Sequence, residues 1–431
     1  MEVLAIILFI SLFLLILYGY PVAFTLGGLS VLYALCFFDP LILNALPMRI
    51  MGIMSNYVLL AVPLFVFMGI MLERSGIAEG LLESMGRVFG RLRGGLAISV
   101  ILVGALLAAS TGIVGATVVT MGLISLPTML KRGYHPALAT GTIATSGTLG
   151  QIIPPSVVLV LLGSVLNVPV GDLFAGALLP GLLLVGAYIG YILIAGVIDP
   201  SSAPPAAEPE DTRGSVLKFL GALLMPLLLI GSVLGSIFAG IASPTEAAAV
   251  GAAGATLMAA ARKRLYGSLL KDVMRQTTRI TSMVFLILIG ATTFSFLFRE
   301  MGGDIAITQL VESAELSPMV FLLLVMAVVF VAGFFIDFIE IVFIIVPVVA
   351  PIFMRLEMDL IWIGVLLAIN LQTSFLTPPF GFALFYLKGV SPPEVTTGHL
   401  YKGVLPFIGI QLIFLVLIAL YPNLVLWLVA D

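Results

Sequence analysis

Ser146-Gly147-Thr148-Leu149-Gly150-Gln151-Ile152-Ile153-Pro154-Pro155-Ser156 interrupts an apolar run that extends over residues 135–165. A proline pair inside such a run removes two backbone donors and frees the carbonyls before it, so the helix must open there. The same event recurs at Asn370-Leu371-Gln372-Thr373-Ser374-Phe375-Leu376-Thr377-Pro378-Pro379-Phe380-Gly381, inside residues 360–388. Freed carbonyls beside hydroxyls make a neutral oxygen cage. With the negative end of a half-helix facing it, such a cage suits a dehydrated Na⁺, and the opposed half-helix N-terminus suits an anion. The competing reading is a plain proline kink satisfied by neighbouring helices. Two symmetric copies favour the cage.

Working outward, the two breaks belong to an internal repeat. Pro127 matches Pro351, Pro154–Pro155 match Pro378–Pro379 and Pro169 matches Pro393, all 224 residues apart, while Pro21 and Pro244 differ from that offset by one. In a chain with 25 prolines this register indicates duplication. The halves are 1–198 and 215–431, joined by a polar linker at 199–214, Asp-Pro-Ser-Ser-Ala-Pro-Pro-Ala-Ala-Glu-Pro-Glu-Asp-Thr-Arg-Gly.

Composition sets the solvent. A chain of 431 residues that is 61% hydrophobic and 10% charged needs a bilayer around it. Spanning runs are read at 2–19, 21–38, 57–73, 135–165, 173–198, 216–240, 244–261, 279–298, 360–388 and 403–421. Residues 1–19 lack the basic start and cleavage site of a signal peptide and are read as a retained helix. The runs 96–130 and 320–354 are long enough for two short helices each and carry polar residues near their middles, the pattern of re-entrant hairpins. The fold expected is therefore all-α integral membrane, with about ten spans and two hairpins in two repeats.

The positive-inside rule orients it. Sixteen of the 19 Lys and Arg fall on one side, leaving Arg49, Arg299 and Arg355 on the other. With the sixteen inside, the first hairpin opens to the cytoplasm, the second opens outward, and both termini lie outside. Residues 1–19 then run inward and 216–240 outward, so the repeats are inverted, a transporter signature that places binding near the midplane.

Other motifs carry weaker chemistry. The first bend, Ala109-Ser110-Thr111-Gly112-Ile113-Val114-Gly115-Ala116-Thr117, offers hydroxyls and small residues suited to a ligand or to close packing. The second, Gly333-Phe334-Phe335-Ile336-Asp337-Phe338-Ile339-Glu340, holds two carboxylates where ionisable groups are costly, with Asp337 the better binding candidate and a helix cap the alternative. Ser243-Pro244-Thr245-Glu246 reads as a capping box. His135 and His399 fall at helix boundaries, Arg262-Lys263-Arg264 anchors a helix end, and amphipathic 77–93 and 304–314 read as interfacial arms. Lone Cys36 excludes an internal disulfide framework. A net charge of −3 argues against nucleic acid. With neither HExxH nor GxSxG and only two His, no enzyme is expected. Asp337 and Glu340 alone are few for a proton relay.

GTLGQIIPPS at 147–156, SPTEAAAVG at 243–251, RGYHPALA at 132–139 and TPPFG at 377–381 occur in order along nearly the whole chain. Together they resemble the large membrane subunit of tripartite ATP-independent periplasmic (TRAP) transporters, the DctM-like family. The resemblance implies an elevator-type, Na⁺-coupled importer of small organic anions (the C4-dicarboxylate, keto acid or sugar acid class) in the bacterial inner membrane. It implies two partners, a periplasmic substrate-binding protein and a small four-helix membrane subunit, the latter expected as a separate chain. It places Na⁺ around Ser110, Gly150, Ile153 and Ser156 in one half and Gly333, Ser374, Thr377 and Phe380 in the other. Thr111, Ser146, Asp337, Asn370 and Thr373 are the substrate candidates. No cofactor is expected beyond the coupling ion. The chain departs from the family at the first bend, where many relatives carry Gly-Ser-Ser. The alternative is a stand-alone Na⁺/anion symporter without a binding protein.

Overall fold

A helix satisfies every backbone group within its own segment, which is what a chain this apolar requires in lipid. The computed structural model describes residues 1–89, 92–111, 114–205 and 212–429, apart from the side chains of Ala78, Glu83, Gly86, Arg87 and residues 109–111 and 212–222. Among the described residues there are helices and connections and no strand. Five helices are long and apolar enough to cross a membrane by themselves: Tyr57–Arg74, Val114–Lys131, Val170–Ile198, Gly267–Glu300 and Thr397–Leu420. Glu2–Leu17 and Val22–Phe37, at 16 residues each, reach about 24 Å at 1.5 Å per residue. Their outward side chains, such as Ile10, Leu14, Phe24 and Leu32, are exposed and apolar, as a lipid-facing surface requires. The protein is an all-α, multi-pass membrane protein.

Most boundaries follow the apolar runs. Residues 57–73 become Tyr57–Arg74 with a 3-10 first turn, 244–261 become Pro244–Ala261, and the two amphipathic arms become Ile77–Val88 and Gly303–Ser313. The runs 135–165 and 360–388 are each split in two, as the proline pairs require. Three differences stand out. The span expected at 279–298 is the end of one 34-residue helix, Gly267–Glu300, because Lys271, Asp272, Arg275 and Arg279 continue the helix outside the apolar layer. An unexpected pair, Pro40–Ala45 and Leu46–Met54, lies along the surface with Met48 and Met51 exposed. Of the linker, residues 206–211 lie outside the described part; its start is tied down, since the Ser202 and Ala203 carbonyls accept from the His135 and Gly94 amides at 3.0 and 3.1 Å.

The offset of 224 residues recurs in the backbone. Pro136–Thr148 and Leu360–Leu376 start that far apart, and the residues shortly before them, Gly133 and Glu357, both have positive φ, 78° and 54°. Each half contains a helical hairpin. The first is Gly95–Thr111 with Val114–Lys131; the second is Pro318–Ala332 with Phe338–Ile344 and Val346–Arg355, the last two bent by 51°. The returning arm of each hairpin packs on the half-helix that follows the break in the opposite half: Val114–Lys131 on Phe382–Val390, and Phe338–Arg355 on Val157–Leu166. This exchange holds the two hairpins and two broken helices together as one body.

Candidate functional site

In the first half, Pro136–Thr148 tightens into a 3-10 turn at Leu149–Gln151, and helix resumes only at Val157. Pro154 and Pro155 have no N–H, so the carbonyls four residues earlier, of Gly150 and Gln151, lose their helical donors. The Ser156 hydroxyl takes the place of one, donating to the Gln151 carbonyl at 3.0 Å. Among the described residues nothing donates to the Gly150 carbonyl. The outgoing arm of the first hairpin meets the break here: a Cβ on Gly150 would collide with the Ala108 carbonyl, two residues before Ser110. Ser146, fully buried, lies against Gly104 and donates to the Ile143 carbonyl at 2.9 Å.

The second half repeats the arrangement. Leu360–Leu376 ends at the break, and Phe382–Val390 follows it. Pro378 and Pro379 deprive the Ser374 and Phe375 carbonyls; the Thr377 amide donates to the first at 3.1 Å, and no described group donates to the second. Gly381 permits the chain to fold back, since a Cβ there would lie 2.7 Å from the Phe375 carbonyl. A Cβ on Gly333, at the second bend, would overlap Ser374 Oγ. The hydroxyls of Thr373, Ser374 and Thr377 donate to the carbonyls of Ile369, Leu371 and Thr373 at 2.7, 2.8 and 2.8 Å, keeping their lone pairs for another partner. Leu360–Leu376 packs on both Pro136–Thr148 and Leu149–Gln151, so the two junctions adjoin.

The candidates divide accordingly. Gly150, Ser156, Gly333, Ser374 and Thr377 stand at the junctions. Ile153 directs its side chain toward Gly181, where a Cβ would come within 3.3 Å of it, and Phe380 is 53% exposed with its ring 5.1 Å from that of Phe335. Asn370 donates from Nδ2 to the Met326 carbonyl at 2.8 Å, tying the broken helix to its own hairpin. The side chains of Ser110 and Thr111 lie outside the described residues. Asp337 takes the cap reading: it is the N-cap of Phe338–Ile344, accepting from the Phe338 amide at 2.7 Å, while Glu340 accepts from the Asp337 amide at 3.2 Å. Glu246 likewise completes a capping box with Ser243.

A polar cluster behind the junctions escaped the sequence reading. Gln411 and Gln372 donate from Nε2 to the Tyr188 hydroxyl at 2.6 and 3.5 Å, all three buried, and among the described residues the buried Gln151 amide has no partner at either atom. Glutamine amid apolar runs was the available signal, and positions 188 and 411 stand 223 residues apart, within one of the repeat offset.

Two cavities flank this body. One, of about 680 Å³, is lined by Glu73, Arg74, Glu79, Val119, Thr120, Leu123, Arg264 and Arg279 among others; across it the Thr120 hydroxyl donates to the Glu73 carboxylate. The other, of about 350 Å³, is lined by Arg49, Asn56, Ser164, Ser295, Arg299, Phe343 and Pro347 among others, and Asn56 Nδ2 donates to Ser164 Oγ at 3.4 Å. Val119 and Leu123 match Phe343 and Pro347 at the repeat offset, so the cavities occupy equivalent places.

Residues 9–424 match the model of the tripartite ATP-independent periplasmic transporter, DctM component. The chain belongs to the DctM family. The C4-dicarboxylate TRAP transporter large permease protein DctM of Pseudomonas aeruginosa is 32% identical over 92% of this chain and 91% of that protein. The sialic acid TRAP transporter large permease protein SiaM of Vibrio cholerae is 29% identical over 94% of this chain and 93% of that protein. The ectoine TRAP transporter large permease protein TeaC of Halomonas elongata is 28% identical over 96% of each. Among solved structures, the YdaH transporter of Alcanivorax borkumensis superposes with a TM-score of 0.64 over 88% of this chain and 89% of its own, at 16% identity, a likeness of fold. This DctM-family chain is a large permease of a TRAP-type secondary transporter.

Proposed function

We propose that the chain is the large transmembrane subunit of a Na⁺-coupled importer of small organic anions, working in the bacterial inner membrane with a small four-helix subunit and a periplasmic binding protein that delivers the substrate. The observation that carries this reading is the pair of equivalent junctions, Ala108 with Gly150 and Gly333 with Ser374, where a hairpin closes on a broken helix. Each junction presents one carbonyl to which no described group donates, of Gly150 in one half and Phe375 in the other, beside hydroxyls that keep lone pairs. Neutral oxygens in that arrangement suit a dehydrated monovalent cation. The two halves are inverted, the hairpins re-entrant, and the body made by the hairpins and broken helices moves past the remaining helices, opening the equivalent cavities by turns.

The substrate is a carboxylate of the dicarboxylate, keto acid or sugar acid class; relatives named for C4-dicarboxylate and for sialic acid support the first and the last of these. Uptake of labelled succinate, pyruvate, gluconate and sialate into proteoliposomes holding the chain, its small subunit and its binding protein tests this. Uptake of one of them that needs an inward Na⁺ gradient and the binding protein is expected. Uptake indifferent to Na⁺ would remove the coupling, and uptake without the binding protein would favour a stand-alone symporter.

A further inference from the structure

Arg49 and Arg299 are two of the three cations on the Lys- and Arg-poor face, and both line the same 350 Å³ cavity. The lining adds Asn56, Ser164, Thr292 and Ser295 and includes no Asp or Glu. We propose that this cavity is an anion-receiving site on the outer face, where Arg49 and Arg299 together hold a carboxylate of the arriving substrate; the inference rests on the organic-anion reading above. Arg49 stacks its guanidinium on the Phe296 ring, 4.3 Å from the centroid, which fixes its plane and leaves its edge donors for a ligand. Arg299 projects from the last turn of Gly267–Glu300. Guanidiniums offer a carboxylate bidentate donors, and two of them in one lining with neutral donors attract it before contact.

The equivalent cavity on the opposite face makes the contrast. Arg74, in the last turn of Tyr57–Arg74, lines it from the place that Arg299 holds in the other half, displaced by one residue from the repeat offset. There the three arginines share the lining with Glu73 and Glu79. An anion arriving at the inner cavity meets three guanidiniums partly offset by two carboxylates, whereas the described lining of the outer cavity sets no carboxylate against its two guanidiniums. Of the two cavities, the outer one is therefore the more attractive to an anion. Because the cavity lies between the surface helix Leu46–Met54, the helix Gly267–Glu300 and the moving ends Ser164 and Phe343, it is where substrate passes from the outside to the junctions.

The test uses the full chain reconstituted with its small subunit, with Cys36→Ser removing the one native thiol and Ser295→Cys placing a reporter in the cavity. Labelling rates of an anionic and a cationic methanethiosulfonate are compared at low ionic strength. Replacing both Arg49 and Arg299 by Gln is expected to lower the anionic-to-cationic rate ratio by about 10-fold or more, as expected for two unit charges near the thiol at intermediate dielectric. The Lys variants at both positions should keep the ratio near the parent's, and Arg355→Gln, on the same face outside the lining, should leave it unchanged. Succinate or gluconate should slow labelling in the parent and not in the double Gln variant. A ratio indifferent to both arginines would overturn the proposal, as would protection by the binding protein without protection by any free anion, which would make the surface a protein dock. Failure of the parent to take up any labelled anion would sink the transport reading separately, since the labelling ratio is read without transport.

Discussion

Ser374 Oγ fills the space that a Cβ on Gly333 would need, and at Gly150, 224 residues before Ser374, a Cβ would meet the Ala108 carbonyl. In both halves the hairpin closes on a residue whose own carbonyl lost its helical donor to a proline pair. Gly333→Ala should therefore cost about 1–3 kcal/mol of stability through overpacking. The Gly333→Ala/Ser374→Gly double variant should regain most of it, because the obstacle is a hydroxymethyl group. Thermal unfolding in detergent reads both; loss without any recovery in the double variant would contradict the contact.

Gly150→Ala should be worse than Gly333→Ala, since its obstacle is backbone and cannot rotate aside. Gly186→Ala is the control: nothing lies within 4 Å of a Cβ there, and in a helix interior the change should be neutral or add roughly 0.5–1 kcal/mol. A similar midpoint for the two variants would show that the first hairpin does not rest on the break.

Asp337 separates a cap from a ligand contact. Asn caps a helix about as well as Asp, so Asp337→Asn should keep both stability and uptake, while Asp337→Ala should lose about 1 kcal/mol. Uptake abolished in the Asn variant at unchanged stability would return the carboxylate to the substrate site.

Tyr188→Phe leaves the Nε2 groups of Gln411 and Gln372 buried without their acceptor. The expected cost is about 1–3 kcal/mol for the unsatisfied donors, read as a lowered unfolding midpoint. An unchanged midpoint would mean that the two amides find other partners.

What was legible in the sequence followed from proline and from apolar length. Pro154–Pro155 and Pro378–Pro379 announce their breaks because a missing N–H has the same consequence in any surroundings. The hairpins were legible in the polar residues at the middles of two long apolar runs, and the arms in amphipathic stretches beside them. Leu46–Met54 was hidden because Pro40, Asn44, Pro47 and Arg49 interrupt any apolar period, and a surface helix needs none of spanning length. The first half of Gly267–Glu300 was missed because its charges end the apolar run without ending the helix. Asp337 and Glu340 were weighed first as binding groups, yet their spacing of three is the same signature read correctly at Ser243 and Glu246. The Tyr188 cluster depends on helices distant in sequence and has no local sign.

The most direct measurement of the central claim, that each junction holds Na⁺, is the unfolding midpoint of the purified chain in NaCl and in KCl at equal ionic strength, for the parent, Gly150→Ala, Ser374→Ala and the double variant. A ligand that binds only the folded state raises the midpoint. The account predicts a higher midpoint in Na⁺ for the parent, part of that difference in each single variant, and none in the double variant. Equal midpoints in the two salts for the parent, or a Na⁺ effect that survives both substitutions, would contradict it.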